Sequence, residues 1–442
     1  MSGFKMRKVS EEVKQYYVHE IDFPVYKKRE KVLLIDADIL AFKVSSVCES
    51  RFRFTHKEDP DEVYLAKSIK EFQGFLEDEK ARSARKVERI SKKMMEARHS
   101  DDTEAYEKHK RNLAKAREVF QNCYEFEDFE REDVQIADPF EYCAKTLKDA
   151  LERVLKMLRI KKFEMYVGGD ENFRSKLPLV EEYKVSVRKD GIRPIHLTAA
   201  KEFLMKKYGA IKVKGIEADD VLQMRQYQLH KAGVDVVMYS NDKDRKQGWY
   251  GKYYNPDSES LEVLDSYLGT INEKGKGCGL KWLLFQMSQG DPVDGYSPKA
   301  WYDKTHYKRG YGPKGFYNDF GHIECEKELL EHFIVVHRDR LLTQEIYEWT
   351  TWDKRRVKSN WLGIIELMFS CAYMKLEVDD QRTFRSLCQE HGVDAGELIW
   401  DVCHEWDIPT EELGCVQNGI HKVIKEVIDE AIEEGVLQRS SD

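Results

Sequence analysis

Acidic residues recur along this chain in clusters, and most of the clusters directly follow a short apolar run. The clusters are Asp36 with Asp38, Asp170, Glu217 with Asp219 and Asp220, Asp242 with Asp244, and Asp291 with Asp294. A short apolar run such as KVLLI at positions 31–35 is typical of a buried parallel strand. Carboxylates gathered at strand ends repel one another unless a cation lies between them. The pattern therefore constrains the fold to one that brings these acids around a cation, for which Mg²⁺ is the simplest candidate.

Three further apolar runs predict the other strands of the sheet. They cover residues 163–167, 210–213 and 234–239, and an amphipathic helix is predicted over residues 143–158. Strands that alternate with helices indicate a parallel sheet with right-handed crossovers. Because ligands bind beyond the carboxyl ends of such strands, the acidic clusters should converge there. We predict an α/β fold with a central, mainly parallel sheet flanked by helices.

Composition limits the classes of protein that this chain can belong to. Its 442 residues are 41% hydrophobic, and no run is long enough to span a membrane or to form a secretory signal. The nine cysteines never form a CxxC pair, which disfavours a zinc site or a disulfide framework and favours the cytoplasm. A net charge of -8 does not exclude nucleic-acid binding, because local basic patches can bind while metal-binding acids lower the total.

A charged segment interrupts the strand pattern early in the chain. From Val63 to about Tyr124 the sequence is rich in Lys, Arg, Glu and Ala, and it contains no Pro. Apolar residues recur there at helical spacing, which predicts a long helical hairpin that turns near residues 99–102. Residues 125–138 are interpreted as an acidic linker. A DNA clamp, a docking arm for a polymerase or a second copy of the chain, and a solvated stalk all fit this composition.

The segment from Gly279 onward differs in kind from the preceding strands and helices. A helix is predicted over residues 280–289, and Asp291 and Asp294 follow it; they share a face if a helical turn continues across Pro292. Farther on, a glycine-rich turn leads into a helix that begins near Pro313. Exposed backbone N–H groups, the helix dipole and a lysine suit phosphate binding there. The residues of this turn are Gly310, Gly312, Lys314 and Gly315.

The order of these motifs resembles a known family. The segments are LIDADILAF, GGDENFRSKL followed by YKVSVR, GIEADDVL, VVMYSNDKDRKQ, FQMSQGDPVDGYSP and GYGPKGFYNDF. Together they resemble the PIN-like family of flap endonucleases and 5′→3′ exonucleases, and in particular the short bacteriophage exonucleases. The resemblance covers about residues 31–55 and 160–350.

This resemblance implies a set of roles for individual residues. Asp36, Asp170, Glu217 and Asp219 match the positions that hold the catalytic metal, and Asp220, Asp242, Asp244, Asp291 and Asp294 match those that complete the cluster. Lys184 and Arg188 match the basic pair that reaches the scissile phosphate. The turn at 310–315 matches a helix-three-turn-helix element that grips duplex DNA and binds K⁺ in relatives. The implied cofactor is a pair of Mg²⁺ ions, replaceable by Mn²⁺, and the implied partner is DNA with a 5′ end, nick or flap.

The predicted domain plan follows the same motifs. Residues 1–30 form an N-terminal extension, 31–62 with 130–278 the nuclease domain, and 63–129 the inserted hairpin. Residues 279–350 form the DNA-binding region, and 351–442 a helical region of unknown role.

Lys184 and Arg188 are four residues apart, so on a helix they would share one face and could contact one phosphate.

Three alternatives remain open at this stage. Asp36 and Asp38 also suit a haloacid-dehalogenase-type phosphatase, in which the first Asp is a nucleophile and the second a general acid. A protein that binds DNA junctions without cutting them is another, although uncompensated carboxylates weaken DNA affinity. A PIN-class ribonuclease would share the acids, and cleavage of RNA in RNA-DNA hybrids is compatible with the same site. The stretch between Lys184 and Lys207 is short, which favours stepwise exonuclease action over threading of long flaps.

Overall fold

A computed structural model describes residues 14–169, 171–185, 192–247, 251–305 and 310–404. The strands are β1 (Gln15–Tyr16), β2 (Lys31–Asp36), β3 (Glu49–His56), β4 (Val63–Ala66), β5 (Phe129–Ala137), β6 (Lys162–Val167), β7 (Ile211–Val213), β8 (Asp235–Tyr239), β9 (Gly251–Asn255), β10 (Ser260–Leu264), β11 (Thr270–Ile271), β12 (Gly277–Cys278), β13 (Tyr347–Thr350), β14 (Arg355–Ser359) and β15 (Trp400–His404).

The helices complete the set of regular elements. They are α1 (Ala37–Val47), α2 (Ile69–His99), α3 (Thr103–Gln121), α4 (Phe140–Leu158), α5 (Leu197–Tyr208), α6 (Ala218–Lys231), α7 (Gly279–Gln289), α8 (Pro313–Phe320), α9 (Glu326–Val336), α10 (Trp361–Ala372) and α11 (Phe384–Glu390). None of the helices in these described ranges is both long and apolar enough to cross a membrane.

Contacts between Cα atoms divide the chain into two compact units. The larger comprises Met1–Ala41, Leu151–Ile192 and Lys201–Asp442, and the smaller comprises Phe42–Ala150 and Arg193–Ala200. The smaller unit therefore extends beyond residues 63–129 at both ends, because the strands on either side of the hairpin pair with each other.

A seven-stranded sheet in the order β1-β7-β6-β2-β8-β9-β10 organises the larger unit. All neighbours in it are parallel except β9 and β10, which form an antiparallel pair at one edge. The α/β class and the mainly parallel sheet are confirmed. Strand β2 lies near the centre, and all its residues after Lys31 are buried, as its unbroken apolar run predicts. Its side chains pack against α6 in a core that includes Val32, Leu34 and Val221.

A second core in the same unit joins the helices that follow residue 279. Helix α7 is buried along its whole length and packs with α8, α9, α10 and α11. The helical region predicted after residue 351 also contains two strands, β14 and β15, which form a three-stranded antiparallel sheet with β13. The rest of that predicted region, residues 405–442, lies outside the described residues.

The smaller unit contains the predicted helical hairpin on a small sheet. Helix α2 begins after Ser68, whose side chain accepts a hydrogen bond from the N–H of Glu71, and α3 begins after Asp102, which caps Ala105 in the same way. The hairpin turns at residues 100–102, as predicted. Its expected start at Val63 was wrong, because β4 occupies residues 63–66.

The acidic linker expected over residues 125–138 is also a strand for most of its length. Strand β5 pairs antiparallel with β3, and its charged residues point to solvent or to cross-strand partners, as Glu132 does to Arg53 at 2.9 Å. Aromatic side chains hold the sheet to α2: the rings of Phe54 and Phe72 stack with centroids 4.0 Å apart, and Phe129 meets Phe72 edge to face. The missed signal was the short alternation of Val134, Gln135 and Ile136 near the end of the strand.

Candidate metal centre

Three of the described acidic clusters of the larger unit lie after parallel strands, and the fourth, Asp291 with Asp294, lies after a helix. Asp36 is the last residue of β2, Glu217 directly precedes α6, and Asp242 follows β8 after two residues. Strand β2 pairs with both β6 and β8, so the segments after these strands emerge side by side. The sheet topology thus explains why acids that are distant in sequence approach one another. Asp170, predicted after β6, lies outside the described residues.

Asp36 and Asp219 form the first group of this centre, which we call the bridged pair. One nitrogen of the Arg245 guanidinium donates hydrogen bonds to both carboxylates. Arg245 is fully buried, and its Nε and Nη1 atoms have no hydrogen-bond partner among the described residues. A guanidinium in this position is a fixed positive charge between two buried negative charges.

The two carboxyl groups of the bridged pair are perturbed in opposite directions. Burial, reinforced by the charges of Asp219 and Asp38, raises the pKa of Asp36 to about 7 despite the opposing charge of Arg245. Burial also acts to raise the pKa of Asp219, but the charges of Arg245 and Lys184 outweigh it and hold that pKa below its usual value. Asp36 additionally accepts hydrogen bonds from the N–H groups of Asp38 and Ile39.

Asp244, Asp291 and Asp294 form the second group, which we call the trio. One oxygen from each carboxylate lies within 4.8 Å of the others. Asp244 opens a short 3-10 helix at Asp244–Gln247, whereas Asp291 and Asp294 lie in the loop after α7. Helix α7 ends before Gly290, and a separate single turn spans Pro292, because the N–H of Gly295 donates to the carbonyl of Asp291 at 2.9 Å. The N–H of Asp291 also donates to the carbonyl of Tyr296 at 2.8 Å, which closes a tight loop and brings both carboxylates together.

Two members of the trio, Asp244 and Asp294, retain protons more readily than ordinary aspartates do. Burial, followed by the charge of Asp242, raises the pKa of Asp244 to about 8, and burial raises the pKa of Asp294 to about 6. The pKa of Asp242 is also raised, by burial and by the charge of Asp219. Lys243 reaches Asp291 at 2.7 Å. These shifts show that the carboxylates are crowded and incompletely neutralised.

The donor set of the trio fits a hard divalent cation. Three carboxylate oxygens within 4.8 Å of one another can coordinate Mg²⁺ or Mn²⁺ and leave positions for water and phosphate. The bridged pair offers the same ligand type, but Arg245 lies where an ion would contact both carboxylates. An ion at the bridged pair therefore requires Arg245 to move.

Lys184 and Glu217 connect the two groups. The Lys184 ammonium lies 2.6 Å from Glu217 and 3.8 Å from Asp294, and the Lys184 N–H donates to the carbonyl of Asp294. Burial acts to lower the pKa of Lys184, but these two carboxylates raise it well above its usual value. The hydroxyl of Tyr183 also lies 3.3 Å from Glu217 and 3.2 Å from Asp294.

The backbone of Lys184 is not helical. Its φ of 58° is left-handed, so the helix face predicted for this residue does not exist at this point. Arg188, its predicted partner, lies outside the described residues. The Lys184 side chain nevertheless reaches the acidic centre through the turn that its backbone makes with Asp294.

Two of the predicted residues have partners that hold them apart from the trio. Both oxygens of Asp220 accept hydrogen bonds from Arg174, and one also accepts the N–H of Lys375. Arg174 is fully buried and in turn donates to the carbonyls of Cys371 and Tyr373. These contacts place Asp220 among the buried residues that support the centre.

Asp38 faces the ends of neighbouring strands. One of its oxygens accepts the N–H of Gly168 at 2.7 Å, and the other lies 2.7 Å from Lys201. A Cβ at position 168 would lie 2.9 Å from the Asp38 carboxylate, so glycine permits this close approach.

Sequence reasoning missed the residues that support the centre from below. The side chain of Gln286 in α7 donates to Asp244, and Gln247 donates to both Gln286 and the carbonyl of Ala372. The segment after α10, part of the tail without an assigned role, thereby joins Asp244 and Asp220 through buried polar contacts. No spacing in the sequence could have revealed these contacts, because they join residues between 39 and 125 positions apart. Arg245 did carry a weak signal: it directly follows Asp244 within an acidic motif.

The predicted phosphate-binding turn leads into α8 as expected. Gly312 caps the helix, Pro313 is its first residue, and Lys314 is exposed in the first turn. Gly310 has a φ of 83°, which requires glycine or strain, whereas a Cβ at Gly310 or Gly312 would meet open space. Gly315 packs closely on the ring of Tyr311, with 3.1 Å from an added Cβ to the ring.

Comparisons with known proteins found distant structural likenesses. No family model and no curated protein matches the chain. A mutant of T5 5′-exonuclease has 15% identity and a TM-score of 0.34, covering 65% of this chain and 92% of its own. A T5 5′-exonuclease structure with bound zinc has 17% identity and a TM-score of 0.32, and the match covers 44% of this chain and 76% of that structure's chain. A bacteriophage T5 flap endonuclease complex with DNA and metal ions has 12% identity and a TM-score of 0.34, and the match covers 56% of this chain and 89% of that structure's chain. Likenesses at this level do not assign the chain to a family.

Proposed function

We propose that this chain is a divalent-metal-dependent nuclease that hydrolyses phosphodiester bonds at 5′ ends, nicks or flaps of duplex DNA. The observation that carries the proposal is the gathering of the trio, whose oxygens lie within 4.8 Å of one another, beside Glu217 and the bridged pair. Crowded carboxylates with raised pKa values are costly to keep without a cation, so their retention indicates a metal-binding role.

The proposed roles divide the centre into two ion positions. Asp244, Asp291 and Asp294 would hold one ion, with Asp242 acting through a water molecule. Asp36, Glu217 and Asp219, with Asp170, would hold the other. Divalent ions bound in this way lower the pKa of a bound water and stabilise charge on the leaving 3′-oxygen.

Lys184 is proposed to bind and orient the scissile phosphate. Its ammonium lies among Glu217 and Asp294, at the junction of the two ion positions. The raised pKa keeps it positively charged, so it can stabilise the additional negative charge of the transition state. Arg188 is proposed to assist it.

Arg245 is proposed to hold the bridged pair together when no ion is bound there. It neutralises Asp36 and Asp219 at once, which prevents their mutual repulsion in the buried interior. Binding of the second ion would displace the guanidinium from this position. The two-ion state would then depend on substrate phosphate, which supplies further oxygen ligands.

The glycine-rich turn before α8 is proposed to grip the duplex backbone. The backbone N–H groups at the start of α8, the α8 dipole and the exposed Lys314 all favour a phosphate. A K⁺ ion shared between the backbone of this turn and a phosphate is proposed from the resemblance of the turn to the helix-three-turn-helix element.

Digestion of end-labelled DNA tests the proposed function. Duplex, nicked and 5′-flapped DNA, and an RNA-DNA hybrid, are labelled at the 5′ or the 3′ end and incubated with Mg²⁺, Mn²⁺ or EDTA. We expect release of short products from 5′ ends with Mg²⁺ or Mn²⁺ and none with EDTA. Release from 3′ ends only, or cleavage that persists in EDTA, would contradict the proposal.

A DNA-binding protein that does not cleave is the second candidate. The observation that favours it is that Arg245 and Lys184 already neutralise part of the acidic centre. Metal-independent binding of flapped DNA with no products in any of these digestions would support this candidate. The phosphatase alternative is disfavoured by geometry, because Asp36 accepts hydrogen bonds from Asp38, Ile39 and Arg245 and is not positioned as a free nucleophile.

A further inference from the structure

The helical hairpin of the smaller unit carries a charge opposite to that of the chain as a whole. Between Lys80 and Arg117 there are thirteen Lys and Arg residues against six Asp and Glu. Since the whole chain has a net charge of -8, the remainder carries -15. All thirteen basic side chains are exposed. Basic charge is thus concentrated on one structural element of an otherwise acidic protein.

Five of these cations form a stripe on one face of α2. They lie at spacings of three and four residues, which a helix brings to the same side, and we call them the basic stripe: Arg85, Lys86, Arg89, Lys92 and Lys93. None of the five side chains forms an ion pair or hydrogen bond with another described residue, whereas nearer the base of the hairpin Arg82 pairs with Glu79 at 2.7 Å. Other residues of α2, among them Leu76 and Ala97, are buried and used for packing.

The stripe does not serve the stability of the hairpin. Like charges four residues apart, such as Arg85 with Arg89 and Arg89 with Lys93, destabilise a helix by about 0.2–0.5 kcal/mol per pair. The hairpin is anchored instead by the stacked rings of Phe54 and Phe72 at its base. A solvated stalk would be better served by alternating charges, so the run of unpaired cations indicates an anionic ligand.

We propose that the basic stripe binds the phosphate backbone of duplex nucleic acid. The stripe spans roughly 12 Å along the helix axis, and this length of duplex carries about seven phosphate charges. Lys and Arg contacts to phosphate position a duplex without reading its sequence. The inference rests on the proposed function in taking nucleic acid as the ligand, and it assigns the hairpin as a second, sequence-independent contact besides the turn before α8.

The test measures duplex affinity of the full chain as a function of salt, in EDTA. A variant in which all five stripe residues are changed to Gln is compared with wild type. The matched control loses five other exposed lysines to Gln, outside the hairpin: Lys206, Lys207, Lys327, Lys354 and Lys358. A second control keeps the stripe charge but changes its shape, through Arg85→Lys and Arg89→Lys.

We expect the stripe variant to bind about 30-fold more weakly at moderate salt and to lose about three or more from the slope of log affinity against log salt. The five-lysine control should change by less than about threefold, and the Arg-to-Lys control should retain the wild-type slope, because backbone attraction depends on charge. DNA and RNA duplexes should be affected alike. Unchanged duplex affinity and an unchanged slope in the stripe variant would overturn the proposal. So would a stripe variant that binds duplex as wild type does but no longer binds an acidic protein.

Two measurements keep the outcome interpretable. Circular dichroism should show the same helical content in the stripe variant and wild type; if it does not, Lys92→Gln with Lys93→Gln is measured instead, with an expected slope loss of about one to two. Cleavage is assayed separately in Mg²⁺. A protein that binds through the stripe but never cuts DNA refutes the nuclease and leaves the stripe, whereas cleavage with unaltered binding in the variant refutes the stripe alone.

Discussion

In the bridged pair the guanidinium of Arg245 lies between Asp36 and Asp219, whereas within the described residues no cation lies between the carboxylates of the trio. Lys243 reaches only Asp291, and Lys184 remains 3.8 Å from Asp294. The pair therefore shares one cation of the protein, whereas each of these lysines approaches a single carboxylate of the trio, and Asp244 forms no ion pair with a described residue. The trio should therefore bind a divalent ion first, and the pair should bind one only after Arg245 moves.

Asp244→Asn removes one carboxylate of the trio and should abolish most of the cleavage activity. Loss of one trio ligand should lower the cleavage rate about 1,000-fold, because the ion that stabilises the transition state is lost. DNA binding should stay equal or become tighter, since one negative charge is removed. Single-turnover cleavage and duplex affinity measure the two effects. The control Asp265→Asn, which changes an exposed carboxylate outside both groups, should leave both values unaltered.

Arg245→Met removes the cation that lies between Asp36 and Asp219 in the bridged pair. Without divalent ions, the unpaired buried carboxylates should cost about 3 kcal/mol of unfolding free energy. Added Mg²⁺ should restore more stability to this variant than to wild type, because the bridged pair becomes free for an ion. Denaturant unfolding with and without Mg²⁺ measures both quantities. Equal gains from Mg²⁺ in the two proteins would show that Arg245 does not occupy an ion position.

Lys184→Ala tests the residue that joins the pair and the trio. The chemical step should slow about 100-fold, since a cation aimed at the transition-state phosphate is lost. Binding should weaken by less than about threefold, which separates a role in chemistry from one in affinity. Single-turnover kinetics at saturating enzyme decides between them, and Lys274→Ala, an exposed lysine, serves as control. Equal losses in rate and affinity would contradict the assigned role.

Asp219→Asn extends the same reasoning to the bridged pair. It should remove cleavage while leaving DNA binding intact or tighter, as should Asp242→Asn. Unchanged turnover in both variants would contradict their roles in the metal cluster.

The raised pKa of Asp244 predicts a pH dependence that differs from that of ordinary carboxylates. Between about pH 4 and pH 8 the folded protein keeps a proton on Asp244, whose pKa is about 8, that the unfolded chain has released. Without metal, this group therefore reduces stability progressively as pH rises through that range. The melting temperature of Asp244→Asn in EDTA should exceed that of wild type by a margin that grows from pH 5 to pH 8. A margin that shrinks would show that the sign is wrong.

Gly312→Asp should have the smallest effect. The φ of -115° at Gly312 suits any residue and a Cβ meets open space, so the substitution adds a charge without strain. Duplex binding should weaken about threefold to tenfold, because the carboxylate competes with phosphate for the N-terminus of α8. Gly312→Asn is the neutral match. Equal affinity of both variants in a filter-binding assay would remove this turn from the DNA contact.

The sequence predicted the elements whose signals are local. Mainly apolar runs marked β2, β6 and β8, and helical spacing marked the hairpin and α7, because burial on both faces or on one stripe leaves a direct trace in composition. Strand β5 was missed because its charges outweighed its alternation. The strands after residue 347 were missed because they are short and interleaved with helices.

The site was predictable only in part, for a physical reason. Strand ends placed the acids near one edge of the sheet, and topology alone accounts for their convergence. The partners that set their charge, such as Arg174, Arg245 and Gln286, come from segments whose approach depends on tertiary packing. A cation next to an acidic motif could be seen in the sequence, but the two carboxylates that it would bridge could not.

Calorimetric titration of the DNA-free protein with Mn²⁺ measures directly whether the trio binds a divalent ion. We predict saturable binding of a divalent ion to wild type near neutral pH, and its loss in Asp291→Asn, since that change removes one of the three oxygens that lie within 4.8 Å. Binding should persist in Asp219→Asn, because the bridged pair is not the first ion position. Absence of binding to wild type, or equal binding to Asp291→Asn, would contradict the account.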